Sequence, residues 1–312
     1  MKITIGTRGS QLALAQAEGF RAKIAALMPN DEVVLEIVKT LGDQLSAPGA
    51  DQGTLGEVPQ GLFTRELDEA LLSGRIRGAI HSLKDVPTIL PAGIQYGPFP
   101  KREDCRDAFI SKTGKKFHEL PPGSKVGTSS PRREAQIRSF RPELKVLPLR
   151  GNVDTRIRKL RDGVVDALVI AAAGIKRLGR EKEVTEYLDP EVILPAPAQG
   201  ILGFTLRQED REFIEILKSL NDPPTQVCAE AERSFLKTLQ GGCRIPVGAL
   251  AKVEGESLSL SGVIAHPNGE KVMRQSQRGL TARPVELGEK LAKEFLDNGA
   301  QEILKAFGRS TW

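Results

Sequence analysis

Cys243 lies in the stretch LQGGCRIPVGA, residues 239–249, behind two glycines and ahead of Arg244, with Pro246 stiffening the exit. A core thiol would sit among aliphatic side chains; this one is presented on an open turn, and the glycines leave room for a bulky group on its sulfur. A second chemical feature is the placing of cations. Arg8 follows the first strand-like run, Lys84 follows GAIHSL, and Arg150 ends another run. Arg132 and Arg133 fall in the first turn of one helix-like segment, Arg156 in the first turn of the next, and Arg177 after a further strand. Ligands of open α/β sheets bind beyond the carboxyl ends of the strands, where helix N-termini already favour anions. Cations in a helix's first turn oppose its dipole, and an anion set between Arg132 and Arg133 would resolve that conflict. Taken singly, each arginine reads as a solvated surface charge; together they read as one polyanion site for planar carboxylates or phosphates. No GxxxxGK[ST] loop singles out nucleotide phosphate. Asp85, in HSLKDVP, is the one acid beside this cluster. Its plain reading is a salt-bridge partner for Lys84. Its functional reading is an ionised carboxylate suited to positive charge developing on a substrate nitrogen.

The elements that must position these groups alternate. KITIGT passes into the helix pattern QLALAQAEGFRAKIAAL, with Ser10 as its cap; KVGT precedes SSPRREAQIRSF, with Ser130 as cap and Pro131 at the first helical position. LKVLPLR precedes GNVDTRIRKLRDG, and DALVIAAAGIKRLG is a buried strand running into a helix. This grammar predicts α/β architecture with largely parallel sheets. Proline-rich points at YGPFPKRED and ILPAPAQG fit a chain that leaves a first lobe and later returns, so the expected lobes are 1–99 with 200–220, and 104–196. After NDPPT the pattern changes to a helix, three strand-like runs with Asn268–Gly269 in a hairpin turn, and two closing helical stretches. This predicts a smaller α+β domain over 222–312 that carries Cys243. No internal sequence repeat is convincing.

Composition narrows the classes. The 312 residues are 39% hydrophobic and 27% charged, with a net charge of +5. Acids and bases are nearly balanced and aromatics are only 4%, which weighs against nucleic-acid binding. The three cysteines, Cys105, Cys228 and Cys243, show no zinc spacing and imply free thiols in a reducing compartment. No apolar run reads as a signal peptide or a membrane span, so a cytoplasmic protein is expected. A bilobal solute-binding protein would use the arginines, but would not need a third domain with an exposed cysteine.

The motifs GTRGSQLALAQ, GLFTREL, HSLKDVP, VGTSSPRR, LRGNVDTR, AGIKRLG, LPAPAQG and GGCRIPVGA occur in this order across most of the chain. In this combination the sequence resembles the hydroxymethylbilane synthase (porphobilinogen deaminase) family. The resemblance implies two lobes like those of periplasmic binding proteins, with doubly wound mixed sheets, beside the C-terminal domain. It implies a transferase that joins four porphobilinogen molecules head to tail, with loss of ammonia, onto a dipyrromethane cofactor. The cofactor would be held by a thioether to Cys243, an anchor that survives turnover, and water would release hydroxymethylbilane.

By the same resemblance Asp85 is the catalytic carboxylate. Ser130, Arg132 and Arg133 hold cofactor carboxylates, with Lys84 and Thr128 nearby. Arg8, Ser10, Arg150, Arg156 and Arg177 hold incoming substrate, and Gln199 lines the cleft at the lobe crossing. Phe63 reads equally as a pyrrole-stacking ring and as a helix-start core residue. No metal and no nucleic-acid or membrane partner is implied. A monomer is expected, with its product passing to uroporphyrinogen-III synthase. One departure stands out: the family commonly carries lysines just before GLF, and here Gln60 and a position near Gly56 replace them, with Glu57 between.

Overall fold

The computed structural model describes residues 1–45, 61–240 and 245–305. It divides into two compact units, Met1–Glu103 with Ile201–Gln226, and Asp104–Gly200 with Val227–Trp312.

In the first unit, strands β1 (Lys2–Thr7), β2 (Glu32–Ile37), β3 (Gly78–Ser82), β4 (Ile94–Tyr96) and β10 (Leu202–Arg207) form one sheet in the order β2-β1-β3-β10-β4. The first three strands run parallel, and β10 is antiparallel to both of its neighbours. In the second unit, β5 (Asp107–Ser111), β6 (Lys125–Gly127), β7 (Lys145–Leu147), β8 (Ala167–Ala171) and β9 (Glu186–Leu188) are ordered β7-β6-β8-β5-β9. Again three strands are parallel, and β5 opposes β8 and β9. The two sheets therefore share one spatial order of strands, although the antiparallel strand comes last along the chain in the first (β10) and first in the second (β5), and no repeat is visible in the sequence. The third sheet, β11 (Val247–Glu254), β12 (Ser257–Ala265) and β13 (Val272–Leu280), is an antiparallel meander in the second unit.

Helices cover the sheets where the apolar periodicity predicts them. Helix α1 (Gln11–Leu27) starts at Ser10, whose hydroxyl accepts from the Ala13 amide at 3.2 Å, and it buries Ala17, Phe20 and Ile24. Phe20 stacks on Phe204 of β10 with centroids 4.9 Å apart, and Phe213 of α7 (Arg211–Leu217) meets the same ring edge-on. The short α2 (Leu41–Leu45) and α3 (Arg65–Leu72) complete the first unit's described helices up to β3. In the second unit α4 (Pro131–Phe140), α5 (Val153–Arg161) and α6 (Ala172–Arg177) follow β6, β7 and β8. Pro131 stands at the start of α4 as its fixed φ favours. Helix α8 (Pro223–Thr238) and α9 (Pro284–Phe295), followed by α10 (Gln301–Lys305), bury Phe235, Phe295 and Leu291 against the meander.

The segments 104–196 and 222–312 fall in one compact unit, within which the meander and its helices keep a core of their own. The reason is close packing. Gly269, at the tip of the β12–β13 hairpin with φ +79°, lies so near α4 that a Cβ there would come within 2.6 Å of Arg138 and 2.8 Å of the Ser139 amide nitrogen. Ala249 of β11 donates to the Pro195 carbonyl at 2.9 Å, and Leu194, Leu250 and Val263 form a small apolar cluster.

His81, buried in β3, has its Nε2 3.0 Å from the Thr205 hydroxyl. Burial, and after it the charge of Arg8, holds its pKa down at about 4. The unfolded chain then binds more protons than the folded one between about pH 6.5 and 4, so stability falls as pH drops through that window. The loss should reach roughly 2 kcal/mol by pH 5. Burial pushes Asp68 up to about 6, which acts in the opposite sense in the same window. Thermal unfolding of His81→Gln between pH 7 and 5 should therefore fall less steeply than that of the unaltered protein. Parallel curves would show that His81 does not set the acid slope.

Candidate functional site

In both five-stranded sheets the connections diverge beside a central strand, which is where such sheets open a crevice for ligands. In the first sheet that point lies between β1 and β3. Arg8 and Ser10 follow β1, while Lys84 and Asp85 form a single 3-10 turn directly after β3. In the second sheet it lies between β6 and β8, and Thr128, Ser130, Arg132 and Arg133 follow β6. These candidate residues thus lie at corresponding edges of two sheets with one strand order.

The strongest electrostatic feature sits in the second unit. Asp107, the first residue of β5, is fully buried. Its carboxylate accepts from Arg132 Nη2 at 2.8 Å, Arg133 Nη2 at 2.7 Å and Gln199 Nε2 at 2.7 Å. Burial works against its charge, but the two guanidiniums outweigh that and hold its carboxyl well below the usual carboxylate range. Arg132 also donates through Nη1 to the Leu194 carbonyl at 2.6 Å. Two cations share one anion, so the buried cluster keeps one positive charge in surplus. The Nε atoms of both arginines are buried without a hydrogen-bond partner. The helix-dipole conflict legible in the sequence is thus partly resolved by a carboxylate of the chain itself.

The segment holding Gln199 is itself held in place. Ala198 has φ +62°, a left-handed conformation costing a non-glycine residue about 1 kcal/mol. Its amide donates to Glu232 Oε2 at 2.6 Å, and the other oxygen of that buried carboxylate takes the Ala251 amide at 2.8 Å. Gln199 was expected to line the cleft. It is instead fully buried and spends its amide on Asp107 and on the Cys105 carbonyl, the latter at 2.8 Å.

The other candidates are placed as follows. Thr128 is buried, and its hydroxyl accepts from the Ser130 amide at 3.2 Å. Ser130 occupies the N-cap of α4, but its hydroxyl makes no cap hydrogen bond, contrary to the capping role expected of it. Arg150 is exposed just beyond β7. Arg156 is half-buried in the first turn of α5 and donates through Nε to the Gly151 carbonyl at 2.8 Å. Arg177 stands at the end of α6, a helix away from the strand exit, and reaches the Gly200 carbonyl at 2.7 Å. Lys84 and Asp85 are both half-buried, and the Asp85 carboxylate has no ion-pair partner among the described residues. Arg8 is paired with Asp43 and lies 4.1 Å from the centroid of the Phe63 ring. Cys243, Gln60, Gly56 and Glu57 lie outside the described residues.

The sequence reading missed Asp107 and Asp43. For Asp107 a signal existed: a carboxylate opening the apolar run DAFIS must find a buried cation. Cys228 is buried with its thiol on the Ala251 carbonyl, and Cys105 packs beside the apolar cluster around Leu194, as structural cysteines would. Among the described residues no group of three or more His, Cys, Asp or Glu could hold a metal ion, and no helix is long and apolar enough to cross a membrane.

Replacing Asp107 by Asn would leave two buried guanidiniums with no anion between them. Breaking a buried pair in this way costs about 3–5 kcal/mol. Thermal or denaturant unfolding of Asp107→Asn should show a loss of that order. An unchanged midpoint would mean that the arginines are solvated in solution.

Comparison with known proteins finds relatives along nearly the whole chain. Residues 3–215 match the family described as porphobilinogen deaminase, dipyromethane cofactor binding domain, and residues 226–297 match the porphobilinogen deaminase C-terminal domain. Porphobilinogen deaminase of Syntrophobacter fumaroxidans is 47% identical over 309 residues, covering 99% of this chain and 98% of that protein. The Roseiflexus castenholzii protein of the same name is 45% identical, covering 97% and 98%. Among solved structures, substrate-binding domain 2 of Lactococcus lactis GlnP in its open conformation is similar at a TM-score of 0.42 and 15% identity, over 70% of this chain and 87% of that one. With its two-part match running along nearly its whole length, this chain belongs to the porphobilinogen deaminase family, transferases of tetrapyrrole synthesis.

Proposed function

We propose that this chain joins four porphobilinogen molecules into hydroxymethylbilane on a dipyrromethane primer carried by Cys243, with the residues above dividing the work. The observation that carries the division is the buried Arg132–Arg133 pair with its single internal counter-ion. A surplus positive charge and two unpartnered buried N–H donors fit a group bearing carboxylates, as each ring of the primer does. Ser130, whose hydroxyl is not spent on its helix, and Thr128 and Lys84 are assigned to the same group. The primer, when bound, supplies the pyrrole carbon to which the next ring is joined.

The remaining roles belong to the chain. Asp85 sets an uncommitted carboxylate at the exit of β3. There it holds pyrrole N–H groups and stabilises positive charge on the substrate nitrogen as ammonia departs. It also serves the proton transfer to that leaving amine. Arg8, Ser10, Arg150, Arg156 and Arg177 take the acetate and propionate groups of incoming and growing chains. Gln199 acts one step back: buried and bonded to Asp107, it positions the arginine pair rather than touching substrate. A monomer working in the cytoplasm and handing its product to uroporphyrinogen-III synthase completes the reading.

Intact protein should be heavier than its sequence by two linked pyrrole units, and Cys243→Ser should lack that excess. An unmodified yet fully active protein would remove Cys243 from the scheme. Asp85→Asn keeps size but loses charge, and turnover should fall by at least about a hundredfold while folding and cofactor content persist. Normal turnover of that variant would return Asp85 to a plain surface role.

A further inference from the structure

We infer that Asp43 and Phe63 are positioning residues for the Arg8 guanidinium, holding it so that one edge is presented to a substrate carboxylate. This rests on the reading of Arg8 as a substrate contact. The carboxylate of Asp43 takes Arg8 Nε at 3.0 and 3.3 Å and Nη2 at 2.5 Å, so it covers the Nε side of the fork. The Phe63 ring lies under one face of the same plane at 4.1 Å, a cation–π contact. Among the described residues no acceptor meets Nη1, which leaves the far edge of the fork for a second, planar anion.

Asp43 is itself fixed. The Thr40 hydroxyl donates to its Oδ2 at 2.8 Å, and Thr40 is fully buried. Phe63 is fixed as well, because Gly42 lies so close that a Cβ there would fall 2.2 Å from the ring. A flexible arginine loses rotamer freedom when it binds an anion; one already pinned on an edge and a face loses less. The ring thus serves the cation, which differs from both roles open to it in the sequence.

Asp43 also carries a negative charge, and removing it would raise the local positive potential. The sign of the change in KM therefore separates positioning from competition. In cofactor-bearing protein, Asp43→Asn should raise KM for porphobilinogen about fivefold and alter kcat by less than about twofold. Asp43→Glu should recover most of the loss, and Phe63→Leu should raise KM by a smaller factor. Adding Asp43→Asn to Arg8→Leu should change KM no further, because the cation to be positioned is gone. A KM for Asp43→Asn that stays level or falls overturns the proposal, as does a full additive rise in the Arg8→Leu background. If Arg8→Leu raises KM and Asp43→Asn does not, the positioning role alone fails. If Arg8→Leu leaves KM unchanged, the reading of Arg8 fails with it. Intact mass measured on each variant should show unchanged cofactor content.

Discussion

One carboxylate, that of Asp107, determines how the second unit can be built. Burying a guanidinium without an anion is prohibitive, and α4 brings two of them inside at successive positions. Asp107 makes this possible from the first residue of β5, so strand and helix are fixed to each other where the connections of the sheet diverge. Gln199 and the Leu194 carbonyl complete the cage, drawing the ILPAPAQG segment against the same point. That segment is fastened in turn through Ala198 to Glu232 on α8, and Glu232 grips β11. Each link spends a buried polar group on a partner from another segment. The cluster therefore fixes the relative placement of lobe, crossing and meander, and it keeps one positive charge in surplus.

The two five-stranded sheets show how one strand order accommodates two kinds of cation. In the second unit the arginines after β6 are sunk below the surface and share an anion of the chain. In the first, Arg8 after β1 is only half-buried and keeps an edge clear. A deeply buried cation suits a resident group that is acquired once. A half-exposed one fits the role proposed for Arg8, carboxylates that arrive and leave during turnover, since desolvation would otherwise oppose each exchange.

Much of this was legible in the sequence. The strand-to-helix grammar, the Ser10 cap, the proline at the start of α4 and the Asn268–Gly269 hairpin all rest on local chemistry and appear where expected. The arginine placements were readable as a conflict with the helix dipole, though not the identity of the anion that eases it. Asp107 is separated from Arg132 by 25 residues of chain, and no local pattern links them. Arg177 follows β8 only as the last of the six residues of α6, so the strand alone does not fix where its guanidinium reaches. Gln199 was read from its neighbours in LPAPAQG, which show that the segment matters but not which way an amide turns. The duplicated sheet order was hidden because topology constrains only where apolar residues alternate, and many sequences satisfy that.

Sheet order also carries a consequence for how the chain is made. In the first unit, β4 at the edge pairs, among the described residues, only with β10, and β10 is what separates it from β3. The chain must therefore be synthesised for about a hundred residues after β4 before that sheet can close, roughly 5–20 seconds at ordinary ribosomal rates. Through that interval β3 presents an unpaired edge, and β4 has no strand beside it. The second five-stranded sheet has no such delay, because β5 to β9 are contiguous in sequence. Its strands can pair as they emerge, so the later unit can finish its sheet before the earlier one. A nascent chain cut short before Leu202 would retain an open strand edge, the kind of surface that holdase chaperones cover and that aggregation exploits.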